Sequence, residues 1–298
     1  AKEKIMKQAE ENLNEKTDIS TPLSEFVRKF KKQKTAIVAL VCILFLVVLS
    51  FTAKCIAPYG INDFDYNAIM QAPTAAHWFG TDEFGRDILS RIIYGSRVSM
   101  IVAVGATIVG AIIGVLIGLT AGYFGGWIDS VLMRVMDGMF SFPFILLAMI
   151  LITVLGNGVM NVILAIGIAS VPGFARVTRG QVLIVKEEEY CNACRVVGVS
   201  PVRLLFLHIL PNCVSQIIVY ATLRIASAII SEASLSFLGL GIALPTASWG
   251  SILRVGRDCL TTAPHVAGTA GAFILVTVIG FNLLGDGIRD VMDPKMKQ

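Results

Sequence analysis

The sequence predicts an all-α protein that crosses a membrane six times and keeps both termini in the cytoplasm. Three observations carry this. The 298 residues are 55% hydrophobic and only 15% charged, with a mean hydropathy of +0.74, where a soluble domain carries about 25% charged residues. Charge-free runs long enough to cross the roughly 30 Å hydrocarbon core recur along the chain. With the N-terminus inside, eighteen of the 25 Lys and Arg residues fall on the cytoplasmic side, six on the opposite side and Arg224 within the membrane. An excess of basic residues marks the cytoplasmic face.

Residues 1–34 are charged and helix-friendly and form a cytoplasmic segment. The basic cluster Arg28, Lys29, Lys31, Lys32 and Lys34 reads as a membrane flank, not as a nucleic-acid arm. Residues 35–56 form the first span, because the 19 residues 35–53 carry no charge and each adds about 1.5 Å of helix. This run follows 34 mostly polar residues, which is expected of an uncleaved anchor and not of a signal peptide. Residues 57–97 are polar and form an extracytoplasmic loop. Asp82, Glu83 and Asp87 lie there without EF-hand spacing and with Arg86 among them, so ion pairs and turn caps are expected in place of a metal.

Residues 98–285 form a five-helix core. The run 98–128 is charge-free, and Gly110, Gly114, Gly118 and Gly122 repeat every four residues along it. That spacing lays four glycines in one narrow stripe, where another backbone can approach closely. The run 138–175 is charge-free for 38 residues, about 57 Å as one helix and nearly twice the bilayer core. Gly156-Asn157-Gly158 near its middle reads as a tight turn between two spans, with Pro143 and Pro172 set to kink or end them.

Residues 208–238 are apolar apart from Arg224 and Glu232. Ionisable groups inside a span are costly and point to function. The two are eight residues apart, about 12 Å of rise, and so do not pair within one helix. Arg224 and Glu232 are both candidates for the pathway, and Arg224 is open to three readings: lining a pathway, touching a substrate carboxylate, or pairing with a partner subunit. Residues 239–265, with Pro245, Trp249, Gly250, Gly256 and Pro264, are too broken for a span and fit an interfacial or re-entrant external segment. Residues 266–284 are the last span, and 286–298 a cytoplasmic tail.

Between two long apolar blocks lies 187–212, EEEYCNACRVVGVSPVRLLFLHILPN. Three carboxylates suit a helix start. Tyr190, Ala193, Cys194 and Val197 then fall on one apolar helical stripe, and Gly198 and Pro201 break the helix before a second run begins. Cys191, Cys194 and Cys213 flank this loop and should be reduced thiols. The C-x-x-C of Cys191 and Cys194 lacks the second ligand pair of a metal site and the context of a redox motif.

The loop resembles the cytoplasmic signature of ABC importer permeases: Glu-Ala-Ala, three residues, Gly, nine residues, an apolar residue, one residue, Leu-Pro. Asn192, Ala193 and Cys194 stand at the first positions, Gly198 at the fourth, and His208, Leu210 and Pro211 at the end. Asn for Glu, Cys for the second Ala and His at the apolar position depart from the strict pattern. Phe79-Gly80-Thr81-Asp82 followed by Gly85-Arg86-Asp87, the SEASLSFLGLG stretch, and FNLLGDGIRDVMDPK near the C-terminus are similar to the dipeptide, oligopeptide and nickel permease branch, with Trp78 in place of a more usual Pro.

The resemblance implies a type I ABC importer permease fold, with 187–212 as the coupling loop that docks on an ATPase. Glu189, Asn192, Ala193, Cys194, Gly198 and Pro211 would carry the coupling, with Ala193 allowing close docking and Gly198 making the turn. It also implies two ATPase subunits that bind ATP and Mg, a second homologous permease, an extracytoplasmic solute-binding protein, and a place in the bacterial or archaeal cytoplasmic membrane. The chain has no G-x-x-x-x-G-K-[ST] phosphate loop, so it is expected to hold no cofactor of its own and to perform no ATP hydrolysis.

Nickel and glutathione importers share these motifs. A nickel route would present His, Cys or carboxylate ligands, and the spans offer Cys42 and few others, which leans towards di- or oligopeptides, with nickel or glutathione as the alternative. An ATP-independent transporter would need several midmembrane titratable groups or an inverted repeat. The sequence has one such arginine, one glutamate and no evident repeat. No H-E-x-x-H suggests a membrane metalloenzyme.

Overall fold

The computed structural model describes residues 22–243 and 245–292. Residues 1–21 of the N-terminal segment and 293–298 of the tail lie outside the described residues. The helices run, in order, α1 (Pro22–Phe30), α2 (Lys34–Phe51), α3 (Ala53–Ile56), α4 (Ile88–Phe124), α5 (Gly126–Phe140), α6 (Phe144–Leu155), α7 (Val159–Val185), α8 (Glu189–Val196), α9 (Pro201–Leu204), a π-helical turn (Leu205–Ile209), α10 (Leu210–Phe237), α11 (Trp249–Asp258) and α12 (Pro264–Met292). Among the described residues five helices are long and apolar enough to cross a membrane. The count is six when the bent pair α5 and α6 forms one crossing.

The expected hairpin at residues 156–158 separates α6 from α7. Other boundaries move. The sequence started the second span at 98, yet α4 begins at Ile88, because Asp87 caps it by accepting from the Ser90 amide at 2.8 Å and most of the charged residues ahead of the apolar run are themselves buried. Asp82 pairs with Arg86 at 2.7 Å and with Arg91 at 3.4 Å, and all three side chains are buried. His77 meets Asp87 at 3.0 Å. The carboxylates Asp82 and Asp87 are thus taken up by ion pairs and a cap.

α4 stops at Phe124 because Gly125 and Gly126 take positive φ of 64° and 55°, a conformation that costs other residues. The sequence read 98–128 as one run and opened the next span at 138. The structure instead turns α5 and α6 through 91°, breaking at residues 141–143, where Pro143 lacks the amide that would continue the helix. α6 has 12 residues, about 18 Å, too short to cross alone. Pro172 neither ends nor splits α7 but sits inside it.

The four-residue glycine repeat decides the main packing. A Cβ placed on Gly110 would stand 2.9 Å from the Gly167 carbonyl; on Gly114, 2.5 Å from the Phe174 Cβ; on Gly118, 2.5 Å from the Ala175 carbonyl; on Gly122, 2.8 Å from the Val182 Cβ. All four glycines are buried against α7, so α4 and α7 pack closely along roughly three turns. Lys186 closes the seam at its end, donating to the Gly122 carbonyl at 3.0 Å. Arg179 grips Asp129 of α5 with two hydrogen bonds of 2.5 and 2.6 Å.

The broken segment 239–265 contains α11, which wedges against α4, α10 and α12. Ser248 and Ser251 form a reciprocal capping box at its start. Trp249 is fully buried; its indole donates to the Ile92 carbonyl at 3.1 Å and its amide to Ser99 Oγ at 3.1 Å. It joins the main core with Ile88, Ile92, Ile229 and Ile252. A second, smaller core at the opposite end gathers Leu119, Val182, Val185, Cys191, Leu204, Ile209 and Cys213.

Candidate functional site

The loop that follows α7 forms a helix, a turn and a second helical run. Glu189 opens α8 in its first turn and Arg195 closes it in its last, each on the side the helix dipole favours. The sequence placed Tyr190, Ala193, Cys194 and Val197 on one apolar stripe. The structure divides that stripe between an inner and an outer side. Cys191 is fully buried and bonds the Val185 carbonyl through Sγ at 3.3 Å, and Cys194 packs beside it. Tyr190, Ala193 and Val197 are exposed. Hydrophobic pattern alone could not place the stripe, because both cysteines count as apolar and the sequence around them offers two overlapping stripes.

The exposed residues of the loop mix apolar and polar side chains. Val196 is 88% exposed, Val197 82% and Val202 64%, and Glu189, Asn192, Ala193 and Arg195 are exposed as well. Asn192 is held by Arg195 Nη1 at 2.7 Å. Gly198 stands at the apex with φ +82° and open space where a side chain would begin. Its conformation, not crowding, is what requires glycine. Val196 and Val202 carried no signal in the sequence beyond being apolar beside polar neighbours.

Pro211 acts on the helix before it. It has no amide, so the carbonyl four residues back has no α-helical donor. The chain responds by widening over Leu205–Ile209, where the Leu210 amide reaches the Leu205 carbonyl, five residues back. π-turns of this kind concentrate at functional sites. Asn212 donates to the His208 carbonyl at 2.7 Å across the same turn. The terminal Leu-Pro of the loop thus produces a wide helical turn between α9 and α10.

Arg224 and Glu232 are separated, as their spacing requires, and differ in surroundings. Glu232 is completely enclosed. Its carboxylate accepts from Ser99 at 3.2 Å, Ser236 at 2.8 Å and Ser248 at 2.9 Å. It joins α4, α10 and the cap of α11, which makes it an anchor for the wedged helix. Arg224 is half-buried. It donates to Ser170 Oγ at 2.9 Å and lies 4.9 Å from the centre of the Phe144 ring. Ser170, Phe144 and Arg224 come from three helices, which is why the cluster could not be read from sequence.

Comparison with known proteins places this geometry. Residues 114–298 match the family described as binding-protein-dependent transport system inner membrane component. Residues 21–73 match the N-terminal TM domain of oligopeptide transport permease C. The chain is 47% identical over 280 residues to the glutathione transport system permease protein GsiD of Escherichia coli (strain UTI89), covering 94% of this chain and 92% of that protein. It is 48% identical, with the same coverage, to the protein of that name from Shigella flexneri serotype 5b. In fold it is similar to a chain of the MetNI methionine ABC transporter in an inward-facing conformation, with a TM-score of 0.54 at 18% identity, covering 69% of this chain and 97% of that one. The match over residues 114–298 and the near-complete overlap with relatives 47–48% identical show that the chain belongs to the family of binding-protein-dependent transport system inner membrane components.

Proposed function

We propose that this permease forms half of the route by which an ABC importer carries glutathione across the inner membrane. Family membership implies ATPase and binding-protein partners and leaves the chain itself without a catalytic step. The observation that carries the substrate is the 47–48% identity to GsiD along nearly the full length of both proteins. The residues alone leaned towards di- or oligopeptides in general. Near-complete overlap with glutathione permeases favours the narrower alternative, and glutathione is itself a tripeptide.

In this reading the exposed patch of Ala193, Val196, Val197 and Val202 is the contact for an ATPase subunit, and two ATPases serve this chain and a second homologous permease. Glu189, Asn192 and Cys194 position α8, Gly198 shapes the turn, and Pro211 sets the wide π-turn that joins the loop to α10. The loop lies on the cytoplasmic side, in keeping with the distribution of Lys and Arg. ATP draws the ATPases together, the loops move with them, and the route opens to alternate sides.

The test is uptake of radiolabelled glutathione by the complete transporter in liposomes, with ATP inside and loaded binding protein outside. The reading requires ATP-dependent accumulation that unlabelled glutathione competes away. The match to the oligopeptide permease N-terminal domain favours a second reading, transport of other short peptides. Competition by di- and tripeptides of unrelated sequence, with none by glutathione, would select it.

A further inference from the structure

We infer that Arg224 is the residue of this chain that meets a carboxylate of the substrate during passage. The inference rests on the peptide-importer reading above and names how the route handles the substrate's charge. Arg224 is the fifteenth of the 28 residues of α10, about 20 Å from either end. A guanidinium at that depth is costly unless an anion or water meets it. Its partners within the chain are neutral. Ser170 accepts its hydrogen bond, while the Ser170 hydroxyl proton is committed to the Ile166 carbonyl at 2.7 Å. Phe144 offers the face of its ring. No carboxylate among the described residues lies within ion-pair distance. The acid nearest along the helix, Glu232, is enclosed by three hydroxyls two turns away.

The group also has donors to spare. A guanidinium carries five N–H donors; Ser170 takes one from Nη2, and Nε is shielded from solvent without an acceptor. Ser170 and Phe144 hold the group from its own side, so its orientation needs no second subunit. One turn earlier, Tyr220 packs edge-on against Phe174 with ring centres 4.8 Å apart, and its hydroxyl fills the space beside Gly173 where a Cβ would stand. Arg224 remains half-exposed in the single chain. A lipid-facing guanidinium in mid-span is disfavoured, so the open side faces the route. Peptides, glutathione included, arrive with at least one carboxylate, and a guanidinium fork with free donors is suited to bind it. The alternative source of an anion is a carboxylate of the second permease.

The experiment uses the complete transporter in liposomes with Arg224→Gln, Arg224→Lys and wild type. Substrates are glutathione and its glycine amide, and alanyl-alanine and its amide, each at a concentration saturating the binding protein. Recovery of the whole complex and ATP hydrolysis stimulated by loaded binding protein are measured beside uptake. The expected result is an intact Arg224→Gln complex with ATP hydrolysis within about twofold of wild type and uptake of the free acid lowered about tenfold, as for loss of one charged hydrogen bond. The preference of wild type for free acid over amide should vanish in Arg224→Gln and persist in Arg224→Lys. A wild-type preference retained by Arg224→Gln overturns the inference. So does loss of the second permease from the Arg224→Gln complex, which would assign the charge to a subunit pair. If wild type moves alanyl-alanine but not glutathione, the glutathione reading fails while the dipeptide pair still decides Arg224.

Discussion

Gly114 lies so close to Phe174 that a Cβ built on it would stand 2.5 Å from the Phe174 Cβ. That approach repeats at Gly110, Gly118 and Gly122, and it fixes how α4 and α7 cross. In a membrane, where lipid is as apolar as leucine, close backbone contact of this kind drives helix association.

Leucine at 114 must therefore push the helices apart. Gly114→Leu is expected to destabilise the fold by about 3 kcal/mol, at the upper end of overpacking costs. It should lower the Tm of the detergent-solubilised complex while the exposed face of α8 stays intact. An unchanged Tm would mean that α4 and α7 do not meet along this seam in the assembled transporter.

Gly198 is a different case, since nothing crowds it. Its φ of +82° costs a β-branched residue roughly 1–2 kcal/mol, enough to shift the turn but not to unfold the spans. Gly198→Val is expected to leave the chain inserted and to reduce ATP-driven uptake or recovery of the ATPase with it. Gly198→Asn, which tolerates this conformation, should retain most of both. Equal uptake by the valine variant and wild type would remove the turn from the coupling site.

Glu232→Ala would leave the hydroxyls of Ser99, Ser236 and Ser248 without their acceptor. Unpaired buried groups of this kind make a loss of about 3 kcal/mol the expected outcome. The damage should be local to α11, so limited proteolysis should cut between α10 and α12 faster than in wild type. A cleavage pattern like that of wild type would show that α11 holds its place without the carboxylate.

The cysteines report orientation. Cys55, exposed, stands at the outer end of the first span, and Cys259, buried, lies in the external segment 239–265. Burial first, then the nearby charges of Glu83, Asp258 and Asp82, pushes the Cys259 thiol upward. Thiolate, the reactive form, is therefore scarcer at Cys259 in the folded protein at any given pH, and the deficit closes only as pH rises past the folded value. In intact cells a membrane-impermeant maleimide should label Cys55 readily and Cys259 slowly, with Cys259 gaining as pH rises. Labelling of Cys55 only after the cells are broken open would invert the topology.

Much of this arrangement is legible in the residues. The hairpin at 156–158 shows because two glycines interrupt a run too long for one span, and the glycine stripe shows because its period matches the helix. The early start of α4 does not show. Arg86 and Arg91 look like solvent-facing charges until Asp82 is brought against them. The break at 141–143 shows through Pro143, but its 91° angle does not, because hydropathy has no contrast inside a run without charge. The inward side of α8, where Cys191 and Cys194 pack, does not show, because cysteine passes for an outward or an inward residue with equal ease. The Ser170, Phe144 and Arg224 cluster is tertiary, its members 26 to 80 residues apart in sequence, and no local pattern announces it.

The most direct measurement is ATP-dependent uptake of radiolabelled glutathione by the reconstituted transporter, comparing wild type with Gly198→Val. Accumulation by wild type that needs both ATP and the binding protein, and that falls several-fold in the variant while the permease pair remains assembled, is the predicted result. Glutathione that fails to accumulate in wild-type liposomes, under conditions where ATP hydrolysis responds to another loaded peptide, would contradict the substrate at the centre of the account.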